Sequence, residues 1–283
     1  MKTYLECIPC FFKQALNAGR IAGADEATQK RILNRLSEAI PTFSLEQTPP
    51  EMGREIYALV REVTGNDDPF KELKKRYNET ALGLYPKLKE KVKQSKDPLL
   101  TAVRLAIAGN IIDLGTSNSF HVEKIEDVID EVLHKKFAIF DYEKFKKALK
   151  ETEEILYLAD NAGEVVFDRI LIEELDKKIV YAVRSRPIIN DALKEDAFFC
   201  GIDKTARIVE SGSDAPGTLL DLCSQEFLDI YRNTGLIISK GQGNFEALSD
   251  ERGPIFFLFM VKCTCAADDT GCLFGDIILK SSL

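Results

Sequence analysis

Asp160 and Asn161 stand where a short apolar run, Ile155 to Ala159, gives way to residues at helical spacing, Val165, Val166, Ile170 and Leu171. A strand that turns into a helix this abruptly places its turn residues in the crevice where open α/β sheets collect ligands. An Asp carboxylate and an Asn carbonyl, joined by a further carboxylate, form a hard oxygen set suited to Mg²⁺, Mn²⁺ or a similar octahedral ion. Such a set is unsuited to structural zinc. The missing carboxylate must come from another strand end. The next apolar run, "KIVYAV", leads into "RSRPIINDALKED" and sets Asp191 beside the start of a following helix. Adjacent parallel strands lie ~4.8 Å apart, so two strand ends can share an ion. The competing reading makes Asp160 and Asp191 plain helix N-caps.

Three further stretches carry chemistry-bearing residues. In "SKGQGNFEALSDERG", Lys240, Gly241, Gly243, Asn244 and Glu246 follow a predicted strand. Glycines at such a turn admit an anion to backbone N–H groups, and Lys240 would add charge. A plain tight turn explains the glycines equally well. The stretch is no dinucleotide fingerprint, because Glu246 occupies the position of the third glycine. Lys262 ends the apolar run "FLFMVK", placed either to bind phosphate as a point charge or to snorkel to solvent. Asn110 and Asp113 sit three apart in "AIAGNIIDLGTSNSFH", so both face one pocket or one helix-packing contact.

Seven cysteines include "CIPC" (Cys7, Cys10) and "CTC" (Cys263, Cys265). A Cys₄ zinc site, a disulfide and buried structural thiols all fit that spacing. Thioredoxin-like use would need a βαβ setting, and "CIPC" is followed by helices. The only histidines are His121 and His134, the latter on a charged helix, which speaks against a histidine-based triad or zinc hydrolase.

The elements that must position these residues fall into two regions. Up to about residue 150 the pattern is helical: "EATQKRILNRLSEAI", "PPEMGREIYALVREVTG", "DPFKELKKRYNETALGLYPKLKEKVKQS", "DPLLTAVRLAIAGNIIDLG", "KIEDVIDEVLHKK" and "DYEKFKKALKE". Asp-Pro at the head of two of them predicts an N-cap with proline at the first helical position. From Glu154 onward, "ILYLA", "KIVYAV", "ARIVES", "GLIISK" and "IFFLFMVK" alternate with helices. That alternation predicts a mostly parallel sheet of βαβ units in an α/β/α sandwich. The expected organisation is a helical region over 1–150 packed on a Rossmann-like metal- and phosphate-binding domain over 151–283, with the site between them.

The 283 residues, 45% hydrophobic, suffice for a large core, and a formal charge of −8 argues against nucleic acid as a partner. The N-terminus makes a poor signal peptide, and no run reaches the ~18 apolar residues of a membrane span. A cytoplasmic location without membrane attachment is expected, and there cysteines stay reduced or bind metal.

Taken in order, "CIPC", "AGNIIDLG", "LADNAGE", "RPIINDA", "GQGNFE" and the "KC" after the last long strand resemble the metal-dependent damage-control phosphatases, over nearly the whole chain. The resemblance implies hydrolysis of phosphate monoesters of sugars or related, often damaged, metabolites. It implies a divalent cofactor (Mn²⁺, Ni²⁺, Co²⁺ or Mg²⁺) on Asp160, Asn161 and Asp191. Lys262 and the turn from Gly241 to Glu246 would line the phosphate site, with Asn110 and Asp113 in the pocket by analogy. Asp160 and Lys262 are the residues expected to act in catalysis. A phospho-aspartyl route is disfavoured because Ala162 breaks the DxD pairing that such phosphatases use. A non-catalytic nucleotide or phospho-metabolite binding protein is the rival reading. A carboxyl methyltransferase would need a glycine-rich loop after its first strand, where "DNAGE" supplies only Gly163.

Overall fold

The computed structural model describes residues 1–110 and 122–282. Its strands are β1 (Phe137–Phe140), β2 (Glu154–Leu158), β3 (Lys178–Val183), β4 (Arg207–Glu210), β5 (Ile237–Lys240), β6 (Ile255–Met260) and β7 (Ile277–Ser281). They form one sheet in the order β1-β7-β6-β5-β2-β3-β4, parallel throughout except for the antiparallel β6–β7 pair. The five predicted runs became β2 to β6. β1 and β7 carry no comparable signal in the sequence: one is four residues long, and the other ends among Lys and Ser.

Helices cover both faces. On one lie α1 (Cys7–Ile21), α2 (Glu26–Ala39), α3 (Pro49–Thr64), α10 (Gln225–Asn233), α11 (Gln242–Leu248) and α12 (Thr264–Thr270). On the other lie α4 (Lys71–Gln94), α5 (Pro98–Ala108), α6 (Val122–His134), α7 (Tyr142–Glu151), α8 (Glu164–Leu175) and α9 (Lys194–Phe199). The sheet's period of two sorts its side chains accordingly. Ile155, Tyr157 and Ala159 of the β2 segment join one core, whereas Leu156 and Leu158 join the other. Each such fully buried aliphatic or aromatic side chain contributes ~1.5–3 kcal/mol.

The N-terminal helices therefore do not stack as one layer on a finished domain. They divide between α3 and α4 and supply outer layers to both faces, and β1 enters the sheet ahead of residue 150. Asp97 caps α5 as predicted, accepting the Leu100 N–H at 3.0 Å. Asp68 does not cap its helix. It lies 2.9 Å from the buried Lys74 ammonium, and α4 starts three residues later at Lys71. A buried cation needs its counter-charge more than a helix needs a cap. Among the described residues no helix is long and apolar enough to cross a membrane.

β2 has β3 on one side and β5 on the other, so the strand order reverses between β2 and β5. The crevice beyond their carboxyl ends is where such sheets bind ligands.

Candidate active site

Between the end of β2 and the start of α8, Asp160 and Asn161 are both buried. Backbone pairing fixes their neighbours. The Ala162 N–H donates to Asn190 O at 2.8 Å and the Ala192 N–H to Asp160 O at 2.8 Å, which makes an isolated antiparallel bridge between Asn161 and Asp191. This bridge, beyond strand spacing, brings Asp191 beside Asn161. Asp191 is not at a helix start, because α9 begins only at Lys194. Just before it, Ile189 holds φ at 45°, a costly conformation for a β-branched residue that tends to persist at functional sites.

Asp191 is gripped from below. Its Oδ2 accepts Arg184 Nε at 2.7 Å, and the same buried guanidinium reaches Thr218 Oγ1 and Asn244 Oδ1, each at 3.0 Å. Asp160 Oδ2 accepts Asn110 Nδ2 at 3.0 Å and Asn161 Nδ2 at 2.8 Å. Both amides also donate to Glu164 Oε1, Asn161 at 2.7 Å. Glu164 was not among the predicted ligands. It lies inside "DNAGE" and opens α8, and its place in that motif was the available signal.

Burial, then the charges of Glu164 and Asp191, push the Asp160 carboxyl well above the usual carboxylate range, while Lys262 and Arg184 pull the other way. Burial also raises Glu164, opposed by Lys240 and Lys262. Lys240 does not face the crevice, contrary to the sequence expectation. Its ammonium sits beneath the site, 3.1 Å from Glu164 Oε2 and 2.6 Å from Asp168 Oδ1, with no exposed surface. Asp168 also accepts the hydroxyls of Tyr157 at 2.7 Å and Tyr181 at 2.8 Å. Two carboxylates on the buried face of α8 require a cation there, and Lys240 supplies it.

Asn244 is likewise placed under the site. Its Oδ1 accepts Arg184 and both the N–H and hydroxyl of Thr218, and its Nδ2 donates to Ala159 O and Lys240 O. No capacity remains for a substrate. Gly241 turns the chain at φ 79°, and its N–H donates to Leu258 O rather than to an anion. A Cβ there would lie 1.9 Å from Asp160 Oδ2, so this glycine makes room for the carboxylate. Gly243 makes room for the Pro216 carbonyl, which a Cβ would meet at 2.3 Å.

A cleft of about 640 Å³ opens above these groups, lined by Asp160, Asn161, Asp191, Lys262, Gln242, Gly243 and Glu246, and also by Phe11, Gln14 and Tyr57. Gln242, unanticipated, organises one side: its Oε1 accepts the Lys262 N–H at 2.8 Å, and its Nε2 donates to Glu246 Oε1 at 2.7 Å. Burial pushes Glu246 up to about 7. All four cysteines of the two motifs line this cleft, all as free thiols. Asp113 and His121 lie outside the described residues.

The damage-control phosphatase ARMT1-like domain matches residues 3–278. The chain belongs to this family. A damage-control phosphatase of Archaeoglobus fulgidus is 33% identical over 99% of both chains, and damage-control phosphatase PH1575 of Pyrococcus horikoshii is 34% identical over 94% of this chain and 93% of its own. The crystal structure of the latter, a DUF89 family protein, superposes with a TM-score of 0.92 at 32% identity and covers both chains fully. These homologues of the damage-control phosphatase family support a phosphatase role.

For a member of this family, the fit of the crevice to a divalent cation can be judged from its own atoms. Among the described residues no three His, Cys, Asp or Glu side chains form a metal-binding group alone. The available set is two carboxylates, Asp160 and Asp191, with one amide. The Asn161 amide nitrogen is fixed by Asp160 and Glu164, which turns its carbonyl oxygen away from them. Asn110 Oδ1 is buried without a hydrogen-bond partner among the described residues. Hard oxygens and crowded negative charge suit Mg²⁺, Mn²⁺ or a similar ion.

Proposed function

We propose that the protein is a metal-dependent phosphatase that hydrolyses phosphate monoesters of sugars or related metabolites, damaged ones included. The observation that carries this reading is the convergence of Asp160, Asn161, Asp191 and Lys262 on one cleft at the strand-order reversal. A divalent ion (Mn²⁺, Ni²⁺, Co²⁺ or Mg²⁺) held by Asp160, Asn161 and Asp191 would supply Lewis-acid chemistry to a phosphoryl group and its attacking water. The chain's own residues do the rest. Lys262 sets positive charge at the cleft wall, where charge accumulates on the phosphoryl oxygens during transfer. Arg184 keeps Asp191 oriented. Gln242 anchors the backbone that carries Lys262. Glu246, Gln14 and Tyr57 offer hydrogen-bonding groups along the remainder of the cleft, matched to the hydroxyls of a sugar.

The test is a screen of p-nitrophenyl phosphate and phosphorylated metabolites against protein loaded with each ion. Turnover that a chelator removes and the ion restores is the expected result. Tight binding of phospho-metabolites with no turnover under any ion would overturn it in favour of a binding protein.

A further inference from the structure

The four motif cysteines come from opposite ends of the chain, yet they share the wall of one cleft. Their sulfurs are not equivalent. Cys10 is exposed and accepts a hydrogen bond from Gln14 Nε2 at 3.2 Å. Cys263 accepts the Ala266 N–H and Gln242 Nε2, each at 3.3 Å, in its role as cap of α12. Cys7 and Cys265 face each other, with Sγ atoms 3.8 Å apart across 258 residues of sequence. Neither CxxC nor CxC is the near pair. The near pair joins the two motifs.

We infer that Cys7 and Cys265 form a modification site, a dithiol that a low-molecular-weight disulfide oxidises to a cross-link between α1 and α12 across the cleft wall. A disulfide needs its sulfurs ~2.05 Å apart, so the two must close the remaining gap by small side-chain and helix-end adjustments. The reagent reaches them through the cleft that both line. In the first step one cysteine thiolate attacks the small disulfide, forming a mixed disulfide and releasing one small thiolate. In the second, the other cysteine thiolate attacks the protein sulfur of that mixed disulfide and expels the second small thiolate. Two electrons pass from the protein pair to the reagent, and the two departing thiolates take up the two cysteine protons.

Burial raises the Cys7 thiol and pushes Cys265 up to about 11. Thiolates that are not stabilised make a poor resting state, and a pair of this kind favours the bonded form more than a low-pKa dithiol does. Cys7 opens α1, which contributes Phe11 and Gln14 to the cleft, and Cys265 follows Lys262 closely. The bond would therefore fix α1 against α12 where both border the cleft.

The test equilibrates the reduced full chain with oxidised glutathione, alkylates residual thiols and maps bonds in a non-reducing digest. A Cys7–Cys265 peptide pair is expected, with a Tm several degrees higher and slower hydrogen exchange in α1. Cys265→Ser should abolish the link, and Cys10→Ser should retain it. A dominant Cys7–Cys10 bond, complete alkylation of all cysteines, or a Cys7–Cys265 bond that leaves Tm and exchange unchanged would each overturn the inference.

Discussion

Gly241 and Asp160 compete for one volume: the carboxylate occupies the space in which any side chain at 241 would begin, 1.9 Å from Oδ2. The turn after β5 thus acts on the site by leaving room for it. Gly241→Ala must either move Asp160 or open the β2–β5 crevice, and its φ of 79° adds strain to any Cβ. The expected cost is ~2–4 kcal/mol of stability. Urea denaturation would measure it, together with a loss of activity well beyond that of Gly253→Ala, whose nearest neighbour lies at an ordinary 3.9 Å.

Asp160→Ala and Asp191→Ala should both abolish phosphatase activity, and Asn161→Ala should be severe. They should differ in stability. Removing Asp191 strands the buried Arg184 guanidinium, with an expected penalty of ~3–5 kcal/mol. Asp191→Asn retains an acceptor for Arg184 and should fold better while remaining inactive. Calorimetric titration with Mn²⁺ checks the ligand assignment, since equal affinity in wild type and Asp191→Asn would remove Asp191 from the ligand set.

The two lysines should separate cleanly. Lys240→Met leaves Glu164 and Asp168 buried without their cation and should destabilise by ~3–5 kcal/mol, read as a shifted urea midpoint. Lys262→Ala should shift the midpoint less than Lys240→Met does, but raise KM and lower kcat for phosphate esters, with Lys262→Arg recovering part. Wild-type kinetics in the alanine variant would show that Lys262 does not meet the phosphoryl group.

Arg54 on α3 and Asp214, in the segment after β4, pair next to the Gly53–Pro216 contact and tie that segment to the N-terminal helices. Partial burial raises the Asp214 carboxyl, but the hydrogen bond and charge of Arg54 outweigh it, and the folded pKa lies below the ordinary value. A depressed carboxyl stabilises the fold above its unfolded pKa and loses that contribution as pH falls through the folded pKa. Arg54 is 36% exposed, so solvent screening limits the pair to ~0.5–1 kcal/mol. Asp214→Asn should be destabilised by that amount near neutral pH, and the gap to wild type should close on acidification through the carboxylate range. A constant gap across that range would show that the ion pair is not its source.

The sequence made Asp160 and Asn161 legible because the hydrophobic period changes around them, and no packing information is needed to see a strand become a helix. Asp191 was legible as a candidate only from its place after the next strand, and neither its distance from the helix start at Lys194 nor the backbone bridge that seats it was. Lys240 and Asn244 were misplaced because a polar residue at the end of a buried strand or in the first turn of the next helix looks identical whether it faces solvent, ligand or a hidden partner. Glu164 and Asp168 on α8 decide it for Lys240, and Arg184 and Thr218 decide it for Asn244. The mostly parallel sheet followed from the alternating runs. The distribution of α1–α3 and α4–α6 over opposite faces depends on which face each amphipathic stripe meets, and periodicity carries no record of that.

β7 lies between β1 and β6, an interior strand drawn from the far end of the chain. During synthesis, β1 leaves the ribosome about 140 residues before Ile277–Ser281, its only sheet neighbour among the described residues, has been made. Until then β1 has no neighbour and β6 exposes an unpaired edge of Phe, Leu and Met to anything nearby. Pairing of β1 with β7 is therefore a long-range event, of the kind that slows folding.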